Sequence, residues 1–93
     1  MELKDTVNDM LSDDYKTRFV AEYNQLIIRA RSLKNIIDKA ENGKLDFSLT
    51  CPIELLKSQY SAMVKYTGIL IERAALEGVI LKGIELNAIY QIL

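Results

Sequence analysis

The sequence predicts an all-α protein: a short N-terminal helix, then a long antiparallel two-helix hairpin, assembled as a homo-oligomer. Three observations carry that expectation. Residues 13–40 contain neither Gly nor Pro, and Phe19, Tyr23, Leu26, Ala30, Leu33, Ile37 and Ala40 recur in alternating steps of four and three. That is the spacing of a helix packed along one seam. Leu56, Tyr60, Met63, Thr67, Leu70 and Ala74 repeat the pattern over residues 52–77. Between the two lies a connection of about a dozen residues, short enough to turn the second helix back along the first.

The elements follow in chain order. Leu3, Val7, Met10 and Leu11 share one face of a helix over residues 2–11, too short to hold itself in water. Ser12 reads as the N-cap of the first long helix, with Asp13 and Asp14 near the positive end of its dipole and Asp14 paired to Arg18 one turn on. Val20, Ile27 and Ile36 widen the seam, so this helix covers more than one neighbour. Glu41-Asn42-Gly43 stops it, with Gly43 in the left-handed C′ conformation. Leu45 and Phe47 are expected to cap the end of the core. Pro52 suits the first position of the second long helix, with Thr50 or Cys51 as its cap. Gly68 lies mid-helix, where it costs about 1 kcal/mol relative to Ala; close approach of a neighbour and simple tolerance both explain it. Gly78 ends or bends this helix. The apolar stretch 79–93 reads as an oligomer contact, and packing over the hairpin end is its alternative. The chain is a single domain, 1–93, divided into a short helix (1–12), a hairpin (13–78) and an apolar C-terminal oligomerisation tail (79–93).

Composition narrows the function. A chain of 93 residues buries a small core, which oligomerisation commonly completes. Twelve basic and 13 acidic residues give a net charge of −1, so nothing draws the chain to DNA, RNA polymers or an anionic membrane. The acidic N-terminus is no signal peptide, and no apolar run is long enough to span a bilayer. With no His and the single Cys51, neither a structural zinc site nor imidazole acid–base chemistry is available. No spacing singles out a carboxylate dyad, and no Gly-rich phosphate loop is present. An enzyme is therefore not expected, nor any metal or cofactor.

The residues with binding potential are tyrosines and cations. A tyrosine can stack on a nucleobase, and Arg or Lys neutralises phosphate. Tyr15, Tyr23, Tyr60 and Tyr66 lie on the two helices, with Arg29, Arg31, Arg73 and Lys39 at the seam edges. The alternative is plain packing: a seam tyrosine in the core and an arginine stem lying over it. If the helices meet at Ala40 and Ile53, facing positions sum to about 93. Tyr23 then faces Leu70, and Arg73 lies near Val20 at the same end. Lys39 and Lys44 fall at the loop end, Lys39 about 24 Å from Tyr23 along the helix. One hairpin cannot unite them; two packed head to tail can.

Three motifs carry a resemblance: F-x-x-E-Y-x-Q-L (Phe19, Glu22, Tyr23, Gln25, Leu26), G-x-L-x-F (Gly43, Leu45, Phe47) and Y-x-x-x-L-x-x-R-A (Tyr66, Leu70, Arg73, Ala74). Together, residues 13–78 resemble the hairpin domain shared by phage-encoded anti-CBASS and anti-Thoeris sponge proteins. The resemblance implies a homo-oligomer, from dimer to hexamer, that sequesters cyclic oligonucleotide signals in the host bacterial cytoplasm without cleaving them. In that pattern an aromatic and a lysine from neighbouring protomers hold the base, and a helix-two arginine contacts phosphate. Tyr23 matches the tyrosine and Arg73 the arginine; Lys39 and Lys44 are both candidates for the lysine. The implied ligand-binding set is Tyr23, Asn24, Arg73, Lys39 and Lys44. A helical interaction module or inhibitor acting on a host protein is the alternative, using the apolar tail and helix faces.

Overall fold

The computed structural model describes residues 1–82 and is all-helical among them. A 3₁₀ turn at Leu3–Thr6 leads into a single α-turn, α1 (Val7–Met10), followed by α2 (Tyr15–Glu41) and α3 (Ile53–Glu77). The two long helices pack against each other, and the N-terminal segment packs on α2.

The antiparallel register agrees with the sequence pattern. Tyr15 meets Glu77, the Arg73 guanidinium lies over Phe19, and the Lys34 ammonium lies over Tyr60. Each of these pairs sums to within one of 93. Tyr23, Ile27 and Leu70 are fully enclosed at the centre of the core, with Phe19, Val20, Leu26, Ala30 and Ala74 around them. α2 is buried on two sides. One side faces α3. The other is covered by the N-terminal segment, where Gln25 donates to the Thr6 hydroxyl at 3.2 Å, and by the chain after α3, where Val79 enters the core. This second layer is why Val20 and Ile27 widen the seam.

Burial is uneven along the hairpin. At the end shared with the termini, Thr67, Leu70 and Ala74 of α3 are buried; towards the loop, Leu56, Tyr60 and Met63 of the same seam are only half-buried. Among the described residues no third element reaches that far, so there the loop half rests on the contact between α2 and α3.

The termini of the helices differ from expectation in instructive ways. Asp14, not Ser12, caps α2: its carboxylate accepts from the Thr17 N–H at 2.9 Å and from the Thr17 hydroxyl at 2.7 Å. Ser12 instead accepts from the Asp14 N–H at 3.1 Å, two residues upstream of the true cap. The expected 2–11 helix is a 3₁₀ turn plus one α-turn, and its apolar residues Leu3, Val7 and Leu11 are exposed. Thr6 is the residue it buries, its hydroxyl donating to the Leu3 carbonyl. So short a segment follows its backbone hydrogen bonds rather than its apolar pattern. Phe47 is exposed and does not cap the core. Pro52 stands one position earlier than expected, as the extended N-cap residue of α3, and no side chain caps that helix.

Both helix ends stop as glycine allows. Gly43 and Gly78 adopt positive φ of 68° and 69°. After Gly78 the Val79 N–H donates to the Ala74 carbonyl at 2.9 Å, and the Val79 side chain enters the core, so the turn is a Schellman motif with its apolar contact. The first residues of the expected oligomerisation tail, Val79 and Leu81, thus pack within the chain; residues 83–93 of that tail lie outside the described residues.

Gly68 is exposed, and a Cβ placed there would meet nothing within 4 Å. No close approach among the described residues explains it. Gly68→Ala is therefore expected to raise stability by about 1 kcal/mol through helix propensity. The check is a denaturant midpoint at fixed protein concentration, and a lower midpoint would mean that something packs on that face.

Candidate functional site

Tyr23 and Asn24 are consecutive residues of α2, both buried, and each carries a polar atom without a partner among the described residues. The Tyr23 ring is wholly enclosed, and its hydroxyl makes no hydrogen bond. Burial pushes the phenol above its ordinary value, which keeps it neutral. Asn24 donates through Nδ2 to the Lys82 carbonyl at 3.1 Å, which ties the chain after α3 to α2. Its Oδ1 has no partner. An unsatisfied buried polar atom costs about 1–3 kcal/mol, and these two stand apart from the buried Thr6 and Thr67, whose hydroxyls donate to the Leu3 and Met63 carbonyls.

Arg73 lies at the same end of the hairpin, and its guanidinium is already engaged. It sits 5.0 Å over the Phe19 ring, donates through Nε to Glu77 at 3.0 Å and through Nη2 to the Tyr15 hydroxyl at 2.9 Å. The Tyr15 hydroxyl in turn donates to Glu77 at 2.7 Å. Tyr15, Phe19, Arg73 and Glu77 thus form a clasp between the start of α2 and the end of α3. Beside it, Lys16 donates to the Gly78 carbonyl at 3.2 Å, and further along the hairpin the Tyr66 hydroxyl donates to Glu22.

The clasp gives a pH signature. Hydrogen bonds from Tyr15 and then Arg73 hold the Glu77 carboxyl below its ordinary value of 4.5. Bonds from Thr17 lower Asp14 in the same direction. A depressed folded value means stabilisation that is present above the unfolded value and lost as pH falls through the folded one. The melting temperature is therefore expected to drop as pH is lowered below about 4.5, and Glu77→Gln should make that drop shallower. Parallel profiles for the two proteins would show that the clasp contributes no measurable stability.

Lys39 and Lys44 occupy the other end. Their main chains are joined by the Lys44 N–H to the Lys39 carbonyl at 2.8 Å. Both are exposed, and neither side chain makes an ion pair or hydrogen bond among the described residues. α2 runs unbroken between Tyr23 and Lys39, which separates them by about 24 Å. Within one chain the expected set therefore divides in two: Tyr23, Asn24 and Arg73 at the end shared with the termini, the lysines at the loop.

A further feature was not foreseen. A groove of about 540 Å³ opens beside the start of α2, lined by Asp14, Lys16, Thr17 and Val20 on one side and by Val79 and Lys82 on the other. The register places Tyr15 opposite Glu77 and so predicts that these segments adjoin. Sequence pattern alone does not reveal the space between them, because it depends on the path taken after Gly78. Among the described residues, no cluster of three or more His, Cys, Asp or Glu is placed to hold a metal ion, and no helix is long and apolar enough to cross a membrane.

A family model described as Sequestin matches residues 13–76. The match begins just before α2 and ends in the last turn of α3, so the unit it recognises is the helical hairpin itself. No curated protein and no solved structure gives a significant match. The family match covers well over half of the chain and bears out the resemblance to sequestering hairpin proteins: the chain belongs to the Sequestin family.

Proposed function

We propose that this protein is a non-catalytic sponge that binds cyclic oligonucleotide second messengers, cyclic di- or trinucleotides or cyclic ADP-ribose isomers, and withholds them from their receptors. The family match carries the reading: a family named for sequestration suggests a small-ligand binder rather than a catalyst. The setting that fits is a bacteriophage protein acting in the host cytoplasm against CBASS- or Thoeris-type defence.

Two features of the hairpin support the site. The loop-end lysines Lys39 and Lys44 are exposed cations with no partner among the described residues, suited to a phosphate. The Tyr23 hydroxyl and the Asn24 Oδ1 are polar atoms without a partner among the described residues. The site is proposed to form between protomers of a homo-oligomer. Arg73 of one hairpin would face Lys39 and Lys44 of another, because one chain holds the two sets apart; Tyr23 and Asn24, enclosed in the single chain, would meet ligand only where the packing over them opens. Holding a polyanionic ligand there requires several charge-assisted bonds at a partly dry interface.

The test is calorimetric binding of the cyclic ligand to wild type, Lys39→Ala, Lys44→Ala and the double variant. These exposed positions leave the core intact, so loss of a phosphate contact should appear as weaker affinity with unchanged helicity. Wild-type affinity in the double variant would remove both lysines from the site.

A further inference from the structure

Arg73 is held more closely than its exposure requires. Its side chain is 45% exposed, and an arginine so placed ordinarily samples many rotamers, which a ligand must then freeze at a cost. Here the guanidinium lies 5.0 Å over the Phe19 ring. Nε donates to Glu77 Oε2 at 3.0 Å, and Nη2 donates to the Tyr15 hydroxyl at 2.9 Å. That hydroxyl donates to Glu77 Oε1 at 2.7 Å, which closes a ring of hydrogen bonds around one edge of the guanidinium. The other edge, Nη1 with the remaining hydrogen of Nη2, is uncommitted among the described residues. Two adjacent nitrogens of this kind are the fork that takes a phosphate with parallel bonds. Exposed ion pairs add little to stability, so the fold alone does not account for the contacts spent on this one cation.

We propose that Tyr15 and Glu77 are positioning residues for Arg73, fixing its guanidinium before ligand arrives so that the free edge forms a preset fork for one phosphate of the anionic ligand. This inference rests on the sponge reading above and concerns how that site is prepared. Neither Tyr15 nor Glu77 touches the ligand; both act through Arg73. Phe19 supports one face of the guanidinium. Tyr15 and Glu77 set its rotation about that face, because a bond to Nε and a bond to Nη2 together define the plane of the fork. A cation fixed in this way binds without paying to order its own side chain. The tyrosine hydroxyl carries no charge, so its removal tests orientation and leaves the electrostatics of the site as they were.

The experiment is calorimetric binding of cyclic di- and trinucleotides and cyclic ADP-ribose isomers, each taken singly, to the full chain and its variants. Tyr15→Phe should weaken affinity by about tenfold, equivalent to about 1.4 kcal/mol, with helicity unchanged by circular dichroism. In an Arg73→Ala background the same change should add no further loss, since the hydroxyl acts only through the guanidinium. Glu77→Ala should weaken binding, and Glu77→Gln, which keeps an oxygen acceptor, should recover most of that loss. Without ligand, the Arg73 Nε–H should give a slowly exchanging NMR signal in wild type that Tyr15→Phe abolishes. Wild-type affinity in Tyr15→Phe, a full additional loss in the double variant, or Glu77→Ala binding as tightly as wild type would each overturn the positioning role while leaving the sponge reading in place. A wild-type chain that binds none of these ligands would instead overturn the sponge reading, and the positioning role with it.

Discussion

Truncating Tyr23 to Ala is expected to cost about 3–5 kcal/mol, the range for removing a large aromatic side chain from a packed core. Tyr23 is fully enclosed by the hairpin, and a small domain has a total stability of only about 5–15 kcal/mol. Lost ligand binding in Tyr23→Ala would therefore report unfolding as readily as a lost contact. Tyr23→Phe separates the two. It keeps the ring and removes only the hydroxyl, which has no partner among the described residues. Stability should rise by about 1 kcal/mol, because an unsatisfied buried group is removed. If the hydroxyl is used by ligand or by a neighbouring protomer, affinity should fall in the same variant. Chemical denaturation and calorimetry on Tyr23→Phe give both numbers. A destabilised Tyr23→Phe would mean that the hydroxyl already has a partner in the free protein.

The second large effect concerns the uneven core. Leu70→Ala should cost about 2–5 kcal/mol, since Leu70 is fully buried where α2, α3 and the segment after Gly78 converge. Leu55→Ala, on the same helix but exposed, should change stability by no more than about 0.5 kcal/mol. Half-buried Leu56 should fall between them. Hydrogen exchange should show the same gradient, with amides near the loop opening at lower free energy than those around Tyr23 and Leu70. Equal costs at positions 56 and 70 would contradict the gradient. They would mean that the loop half is covered in solution by something beyond the described residues.

These effects also show how far the sequence was legible. The seams of α2 and α3 were readable because a spacing of four and three recurs over many turns, and summed packing along a long helix outweighs any local preference. The stop at Gly43 and the end at Gly78 were readable because only glycine takes the left-handed conformation cheaply. The N-terminal segment was not. Leu3, Val7 and Leu11 suggested a buried face, but one turn of helix cannot hold an orientation, and Thr6 is buried instead. The cap at Asp14 rather than Ser12 turns on a choice between acceptors two residues apart, which sequence does not resolve.

For the candidate site the lesson is different. Register alone placed Arg73 near Val20 and set Lys39 at the far end. It could not show that Arg73 is committed to Tyr15, Phe19 and Glu77. Nor could it show that the Tyr23 hydroxyl and the Asn24 Oδ1 are buried without a partner among the described residues. Those facts depend on side-chain rotamers and on the return of the chain after Gly78, neither of which is written in a hydrophobic pattern.

The most direct test of the proposed function is the thermal stability of the wild-type protein in the presence of cyclic di- and trinucleotides and cyclic ADP-ribose isomers, with linear nucleotides as controls. A ligand at about 100 times its dissociation constant adds about 2.7 kcal/mol to the folded state. For a domain of this size each kcal/mol moves the midpoint by about 4–8 °C. The sponge reading predicts a rise of that order with one cyclic class and none with the linear forms. An unchanged midpoint across the whole panel at millimolar ligand would contradict it, and would direct attention to protein partners instead.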